Sequence, residues 1–421
     1  MSARTQAQRL APTKSAGVVL ASAFLLALIG LLALTSVSAF RYMRGLDRSI
    51  GNLFVVKQAV WCAAAAMFGL VASFLDYRWL LKHAFKILAL VWIGLVAVLL
   101  VGPVILGARR WLEIGPMSLQ VSEFAKVAVI LAAARYVTVR RESLGSYVKG
   151  FLPALAWLGA TVFLIAKEPD LGTSMFILGS GMLMLFLGGL KLTHIVPTFG
   201  LVGPLYLWWM FANNQYIRER LKSHAEEGGN DHVAAAVRSM GSGGLFGTGL
   251  GEGRAHLRFV NMIESDFLFT VVAEQGGFIG AAVVVLLFVV ILRHGMKIAA
   301  AAPDTGGFIV AFGITFMTVF QAAVNMSVVT GLVPPKGIGL PFVSYGGSSL
   351  LMFGTAFGIL ANVARQGRVG GLSDADERLA GSAVGAGPGD EGWSGAETPL
   401  LARSVAFEVK GGRSARRLME I

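Results

Sequence analysis

Long apolar runs separated by short polar segments dominate the chain as far as residue 366. A run of roughly 20 apolar residues is long enough to cross a bilayer as an α-helix. By this criterion the sequence predicts about ten membrane helices, at residues 17–40, 53–75, 84–106, 121–139, 150–167, 171–190, 194–211, 266–292, 306–330 and 344–364. The predicted fold class is therefore an all-α integral membrane protein with about ten transmembrane helices.

The polar segments divide the chain into an N-terminal tail (1–16), a transmembrane domain (17–366) and a C-terminal tail (367–421). Connections are short except for the loop 212–265, whose six acids and six bases balance, so it is not a polybasic lipid anchor. A loop of that length in a compact bundle is usually functional or disordered. The C-terminal tail is rich in Gly, Ser, Ala and charge, a composition that predicts disorder.

Composition supports a membrane protein and excludes an ordinary soluble domain. Only 14% of the residues are charged, 55% are hydrophobic, and the mean hydropathy is +0.68. The net charge of +12 does not indicate nucleic acid, because Lys and Arg at helix ends and on cytoplasmic tails account for it. Cys62 is the single cysteine, so no intrachain disulfide is possible.

The charge pattern favours a cytoplasmic location for both tails. An even number of spans puts them on one side, and the N-terminal tail carries three bases and no acids. Three arginines in the first loop, Arg41, Arg44 and Arg48, weigh against this orientation. With the tails inside, the polar loops 107–120, 167–170, 212–265 and 331–343 all face outward, so the charged clusters are predicted to gather at one membrane face.

Asp266 stands at the mouth of the apolar run 266–292. Acids near membrane depth are costly, so they usually face a cavity and carry function. One interpretation is structural, with Ser265 and Asp266 capping a helix. The other is a general base, because a partly desolvated carboxylate has a raised pKa and is suited to take a proton from a hydroxyl.

A second candidate region extends from Gly107 to Lys126. Arg109 and Arg110 are candidates for holding a phosphate by forked hydrogen bonds, while interfacial anchoring beside Trp111 is the alternative. Further along, Glu123 and Lys126 have the i, i+3 spacing of a helical ion pair, which is unusual in a membrane.

Two further segments contain candidate residues. EPDLGTS, which begins at Glu168, is typical of a turn and a helix cap formed by Asp170. GLVPPKGIGLPFVSYGGSSL, which begins at Gly331, has too many prolines and glycines for a regular helix before about Ser344. Irregular backbone at membrane depth must line a cavity or be packed in protein, and Lys336 is positioned to meet a phosphate there.

Five segments, taken in order, resemble the shape, elongation, division and sporulation (SEDS) family. They are RRWLEIGPMSLQVSEFAK, EPDLGTS, GSGGLFGTGLG, SDFLFTVVAEQGGFIG and NMSVVTGLVPPKGIGLPFVSYGGSSL. The resemblance covers nearly all of residues 17–366. The last segment looks more like the division members than the elongation members. Val121 departs from the pattern, because the family usually has proline there.

The resemblance implies a ten-helix peptidoglycan glycosyltransferase that polymerises lipid II at the outer face of a bacterial cytoplasmic membrane. The implied partners are a class B penicillin-binding protein, which is a transpeptidase, and other division proteins at the septum. The family's essential aspartate falls on Asp266. Its other motif positions fall on Arg110, Trp111, Gln120, Ser122, Glu123, Lys126, Pro169, Asp170, Gly172 and Thr173.

The resulting hypothesis is an inverting transfer with Asp266 as the catalytic base. Candidate substrate-binding residues are Arg109, Arg110, Trp111, Glu123, Lys126, Asp170, Lys336 and Ser344. A divalent cation, magnesium or manganese, is a further candidate with Glu123 or Asp170 as a ligand, although no motif demands one. The alternatives are an elongation-type polymerase, a lipid II flippase, or a non-catalytic scaffold of the division machinery.

Overall fold

The computed structural model describes residues 3–43, 50–105, 108–114, 117–200, 208, 231–253, 266–333 and 337–367. The helices of the first half are α1 (Ala3–Met43), α2 (Ile50–Phe74), α3 (Tyr77–Lys82), α4 (Ala84–Val101), α5 (Val121–Val139), α6 (Leu152–Lys167) and α7 (Leu171–Leu187). Helix α8 starts at residue 192 and is described as far as residue 200. The later helices are α9 (Asp231–Ser242), α10 (Leu268–Gln275), α11 (Gly277–Ala300), α12 (Thr305–Val329) and α13 (Gly347–Gln366).

Seven helical segments in this part of the chain are long and apolar enough to cross a membrane. They are α1, α2, α4, α11, α12, α13, and α6 together with the π-helical turn Tyr147–Phe151 that precedes it. Helix α7 is a shorter apolar helix, and α5 and α8 lie at the two remaining predicted spans. A helix therefore occurs at each of the ten predicted positions, although most of the span 194–211 lies outside the described residues. The prediction of an all-α, multi-pass membrane fold is confirmed.

The predicted span 266–292 was wrong as a single helix. The chain forms the short α10 and then the membrane-length α11, with a break at Gly276 and Gly277. Gly277 has φ 65°, a left-handed conformation that side chains disfavour. Asp266 consequently lies a short buried helix away from the membrane-crossing segment, and not at its mouth.

The glycine-rich segment 241–253 packs its backbone against this break. The amide of Thr248 donates to the carbonyl of Glu274 (3.0 Å), and the amide of Phe278 donates to the carbonyl of Gly244 (2.9 Å). Gly247 has φ 86°, and a Cβ there would collide with the backbone of Gln275. These glycines permit close approach between two pieces of backbone. The long loop 212–265 also contains a helix, α9, which the sequence pattern did not predict.

A small β-hairpin precedes α5 and was not predicted either. Strands β1 (Leu112–Ile114) and β2 (Met117–Leu119) pair antiparallel. The hydroxyl of Ser348, in the first turn of α13, accepts from the Gln120 amide (2.9 Å) and donates to the Ser118 carbonyl (3.4 Å). The hairpin is thereby attached to the end of α13 that follows the segment 337–346.

Helix α5 lies at the centre of the bundle. Its alanines are almost fully buried, and it packs against α4, α7, α12 and α13. Small residues allow such close approach between membrane helices. Helices α2 and α13 use the same principle, because a Cβ on Gly354 would collide with the backbone of Ala65. The one acid and the one base in the first turns of α5, Glu123 and Lys126, are therefore held in the interior.

The predicted boundaries of the tails have different outcomes. Helix α1 starts at Ala3, so residues 3–16, predicted as a tail, continue the helix at its N-terminal side. Residues 368–421 lie outside the described residues. The disorder of the C-terminal tail and the division into three regions remain predictions.

Candidate functional site

Asp266 lies immediately before α10, at one end of the bundle. The N-cap of that helix is Phe267, which makes no side-chain capping bond. Ser265 lies outside the described residues, so the predicted capping by Ser265 and Asp266 stays a prediction. Asp266 is half-buried. Its Oδ2 would stand 3.2 Å from a Cβ placed on Gly337. The carboxylate is therefore next to the irregular segment 337–346.

The segment 337–346 owes its shape to Pro341, to its glycines and to a pair of hydrogen bonds between Leu340 and Ser344. The amide of Leu340 donates to Oγ of Ser344 (2.8 Å), and the amide of Ser344 donates back to the carbonyl of Leu340 (3.0 Å). Phe342, between them, has φ 64°, in the left-handed region. Ser344, predicted to bind substrate, is buried and stabilises this turn.

Glu123 and Lys126 form the ion pair that their spacing predicts. Nζ of Lys126 lies 2.7 Å from Oε1 of Glu123, and both residues are buried. The same ammonium donates to Oε1 of Gln321 on α12 (2.8 Å). It also lies 5.9 Å from the ring centroid of Phe176 and 5.6 Å from that of Phe353. The ammonium therefore has several compensating partners, whereas Oε2 of Glu123 is buried and has no hydrogen-bond partner among the described residues.

The two neighbouring arginines have separate roles in the structure. Nη1 of Arg109 donates to the carbonyls of Leu99 and Leu100, the end of α4, where a cation also compensates the helix dipole. Nε of Arg110 donates to the carbonyl of Glu168 (3.2 Å), and its Nη2 donates to that of Pro169. Each arginine is thus attached to the backbone of a different segment, and phosphate binding by either of them stays a prediction.

Trp111 follows these arginines and is half-buried at the start of the hairpin. Its carbonyl lies close to Gly102, the residue that ends α4, where a Cβ would stand 3.0 Å from the carbonyl oxygen. Trp111 thus belongs to the same end of the bundle as Arg109 and Arg110.

The turn between α6 and α7 contains a buried acid beside a capping acid. Glu168 is 0% exposed, and neither of its carboxylate oxygens has a hydrogen-bond partner among the described residues. Burial, and after it the charge of Asp170, raise the pKa of Glu168 to about 8, while the charge of Arg110 opposes the shift. Oδ1 of Asp170 accepts from the amide of Thr173 (3.1 Å), which confirms the predicted cap of α7.

The predicted candidates meet at one end of the bundle. Ile338, in the irregular segment, lies against Gly172 at the start of α7. Arg110 links the hairpin region to the α6–α7 turn, and Asp266 adjoins Gly337. The predicted convergence of the charged clusters is confirmed for the described residues. Lys336 lies outside them.

Sequence reasoning missed two buried amides on α12, Gln321 and Asn325, both 1% exposed. Nε2 of Gln321 donates to the carbonyl of Gly339 (2.9 Å). Nδ2 of Asn325 donates to the carbonyls of Ile338 (2.8 Å) and Asp266 (3.0 Å). The available signal was their i, i+4 spacing within an apolar run, which puts both amides on one helix face.

The nominated metal ligands do not fit a cation site. Oε1 of Glu123 is paired with Lys126, and Oδ1 of Asp170 caps α7. Across the described parts of the chain, no group of three or more His, Cys, Asp or Glu side chains is arranged to hold a metal ion. No step of the chemistry is therefore derived through a metal.

Sequence comparison connects this geometry to known proteins. The family model described as "Cell cycle protein", which groups FtsW, RodA and SpoVE, matches residues 17–369. Stage V sporulation protein E of Bacillus subtilis is 35% identical over 356 residues, covering 82% of this chain and 95% of the relative. "Probable peptidoglycan glycosyltransferase FtsW" of Trichlorobacter lovleyi is 33% identical over 335 residues, covering 78% and 88%.

Solved structures share the fold. A chain of a peptidoglycan synthase complex, described as coordinating polymerization and crosslinking, has a TM-score of 0.64 and 26% identity, over 80% of this chain and 97% of that one. The rod shape determining protein RodA of Thermus thermophilus has a TM-score of 0.60 and 26% identity, over 84% and 97%.

Proposed function

This chain belongs to the FtsW, RodA and SpoVE family of cell cycle proteins, and on that premise we propose that it is a peptidoglycan glycosyltransferase. Its substrate is lipid II, and its product is a β-1,4-linked glycan strand. One observation carries the proposal beyond the names of the relatives. Asp266 lies next to Gly337, and the buried Glu123–Lys126 pair is linked to Gly339 of the same segment through the side chain of Gln321.

Asp266 acts as the general base. The incoming lipid II presents the 4-hydroxyl of its N-acetylglucosamine, and the carboxylate removes that proton as the oxygen attacks the donor's anomeric carbon. The bond from that carbon to the pyrophosphate oxygen breaks, and the lipid pyrophosphate leaves with the electron pair. Attack from the opposite side inverts the anomeric centre. The half-buried position next to Gly337 leaves the carboxylate within reach of a ligand.

Arg110 is the described cation best placed to stabilise the departing pyrophosphate. It stays partly exposed while two of its nitrogens fix it to the α6–α7 turn, so it is pre-organised at small entropic cost. Lys126 is 1% exposed and is held by Glu123 and Gln321, so it stabilises the interior of the site and does not contact the substrate. Arg109 anchors the end of α4. Lys336 remains a proposed phosphate contact by its motif position.

The proposed setting is the bacterial cytoplasmic membrane at the division septum, with both tails cytoplasmic and the site on the outer face. The proposed partners are a class B penicillin-binding protein and other division proteins. The likeness to a chain of a synthase complex that couples polymerization to crosslinking supports a transpeptidase partner. The FtsW relatives support a division role over an elongation role.

A reconstitution assay tests this function. Purified protein in liposomes receives fluorescent lipid II, with and without a cognate transpeptidase, and products are separated by length. We expect glycan ladders that require the protein. If no ladders form under any condition while lipid II crosses the liposome membrane, the protein is a flippase and the proposal fails. If neither occurs with well-folded protein, the scaffold interpretation replaces it.

A further inference from the structure

The amide pair on α12 joins the proposed base to the rest of the site. Nδ2 of Asn325 donates to two carbonyls from separate parts of the chain, those of Asp266 and Ile338. One turn earlier, Gln321 accepts from the Lys126 ammonium and donates to the Gly339 carbonyl. One helix face thus holds the backbone of the base, the irregular segment and the charged pair of α5.

The chemistry of these contacts fixes the orientation of both amides. Both partners of Asn325 are carbonyl oxygens, so only its NH₂ group can face them. Gln321 faces an ammonium on one side and a carbonyl on the other, which again admits one orientation. Neither amide can flip without losing its hydrogen bonds, and each side chain is 1% exposed.

The side chain of Asn325 also lowers the stability of the core, which an apolar side chain at this position would not do. Oδ1 of Asn325 is buried and has no hydrogen-bond partner among the described residues. An unpaired buried acceptor is destabilising, and leucine, which has the same branched shape without polar atoms, would avoid it. An amide at this position is therefore better explained by what its two N–H groups hold than by the stability of the core.

We propose that Asn325 and Gln321 are positioning residues of the glycosyltransferase. Asn325 sets the distance between the backbone of Asp266 and the segment 337–340, and Gln321 aligns that segment with the Glu123–Lys126 pair. The inference rests on the proposed function, because it assigns these amides to the reaction that Asp266 performs. A displacement of about 1 Å at a reacting group lowers rates on the order of 10²-fold.

The matched control is a second buried asparagine that also bridges two elements. Asn362, at the other end of α13, donates to the Ser73 carbonyl (2.9 Å) and accepts from the Tyr77 amide (3.1 Å). It is 4% exposed. Asn362→Leu reproduces the loss of a buried bridging amide far from the site, so it reports the purely structural consequence.

The experiment compares Asn325→Leu, Asn325→Asp and Asn362→Leu with the wild type. The polymerisation assay supplies kcat and KM for lipid II, and hydrogen exchange is measured on peptides covering 266–275 and 337–346. We expect both Asn325 variants to lose kcat roughly 10-fold or more with KM within about threefold, and to lose protection in both peptides. Asn362→Leu should retain kcat and protection there.

Three results would overturn the inference. The first is an Asn325→Leu variant with wild-type kcat, and the second is unchanged exchange in both peptides. If the wild type itself makes no glycan, the proposed function fails, and the exchange data still decide whether Asn325 joins the two segments. A loss of kcat equal in Asn325→Leu and Asn362→Leu would reduce the role to general stability.

Discussion

The carboxylate of Asp266 lies so close to Gly337 that a Cβ on the glycine would stand 3.2 Å from Oδ2. That distance is tighter than an ordinary van der Waals contact, so a methyl group there must push the carboxylate aside by a few tenths of an ångström. The glycine therefore provides room for the carboxylate of the proposed base.

Gly337→Ala is expected to lower kcat several-fold to roughly 10-fold, because the base is displaced from its partner hydroxyl. Folding should be retained, since Gly337 has no positive φ. The measurement is the polymerisation rate at saturating lipid II. Gly179→Ala on α7 is the matched control, because a Cβ there meets nothing within 4 Å. Equal rates for the two variants would show that Gly337 does not set the position of Asp266.

Because the Glu123–Lys126 pair is buried, we expect a single substitution in it to lower the stability of the protein strongly. Lys126→Met removes the ammonium and leaves the buried Glu123 unpaired, which costs about 3–5 kcal/mol. The double substitution Glu123→Gln with Lys126→Met should recover part of that loss. Thermal unfolding in detergent, measured for each single and double variant, gives the coupling.

The exposed pair of Arg78 and Asp304 is the comparison for that experiment. Its side chains are 56% and 38% exposed, so Arg78→Met should cost less than about 1 kcal/mol. If Lys126→Met and Arg78→Met lower the unfolding temperature equally, the Glu123–Lys126 pair is not more buried than the exposed pair.

Glu168 predicts a pH-dependent stability. Its pKa is raised from 4.5 to about 8 in the folded chain, first by burial and then by Asp170. Below pH 4.5 both the folded and unfolded chains hold the proton. Between pH 4.5 and about 8 the unfolded chain loses it and the folded chain keeps it, so the wild type loses stability as the pH rises.

Glu168→Gln removes this titration while keeping a neutral side chain of the same size. Relative to the wild type, the variant should gain unfolding temperature steadily from pH 5 to pH 8, because each pKa unit corresponds to about 1.4 kcal/mol. Thermal unfolding across that range measures the gap, with the exposed Glu142→Gln as a control. A gap that is constant with pH, or that shrinks as the pH rises, contradicts the assignment.

The sequence was most informative where charge interrupts an apolar run. Asp266, Glu123 and Lys126 stand out because acids and bases are rare at membrane depth, and the structure brings them to one end of the bundle. Gln321 and Asn325 did not stand out, because one neutral amide changes the hydropathy of a 25-residue helix very little. Their role depends on which carbonyls face them, and those carbonyls belong to distant segments.

Other differences have a similar cause. The break at Gly277 was missed because the run 266–292 is long enough for one span, and only the contact with the glycine loop stabilises the break. The hairpin strands have three residues each, too few for a period-two pattern to be recognised. The burial of Glu168 depends on packing around the α6–α7 turn, which local sequence does not encode.

If Asp266 removes the proton in the glycosyl transfer, the rate of polymerisation depends on the basicity of this one side chain. Asp266→Asn keeps the size of the side chain and abolishes its basicity. With lipid II at saturation and the cognate transpeptidase present, kcat for polymerisation should fall ~10²-fold or more, with the unfolding temperature unchanged. The exposed Glu142→Gln should retain the wild-type rate. An Asp266→Asn protein that polymerises lipid II at a near-normal rate would contradict the account.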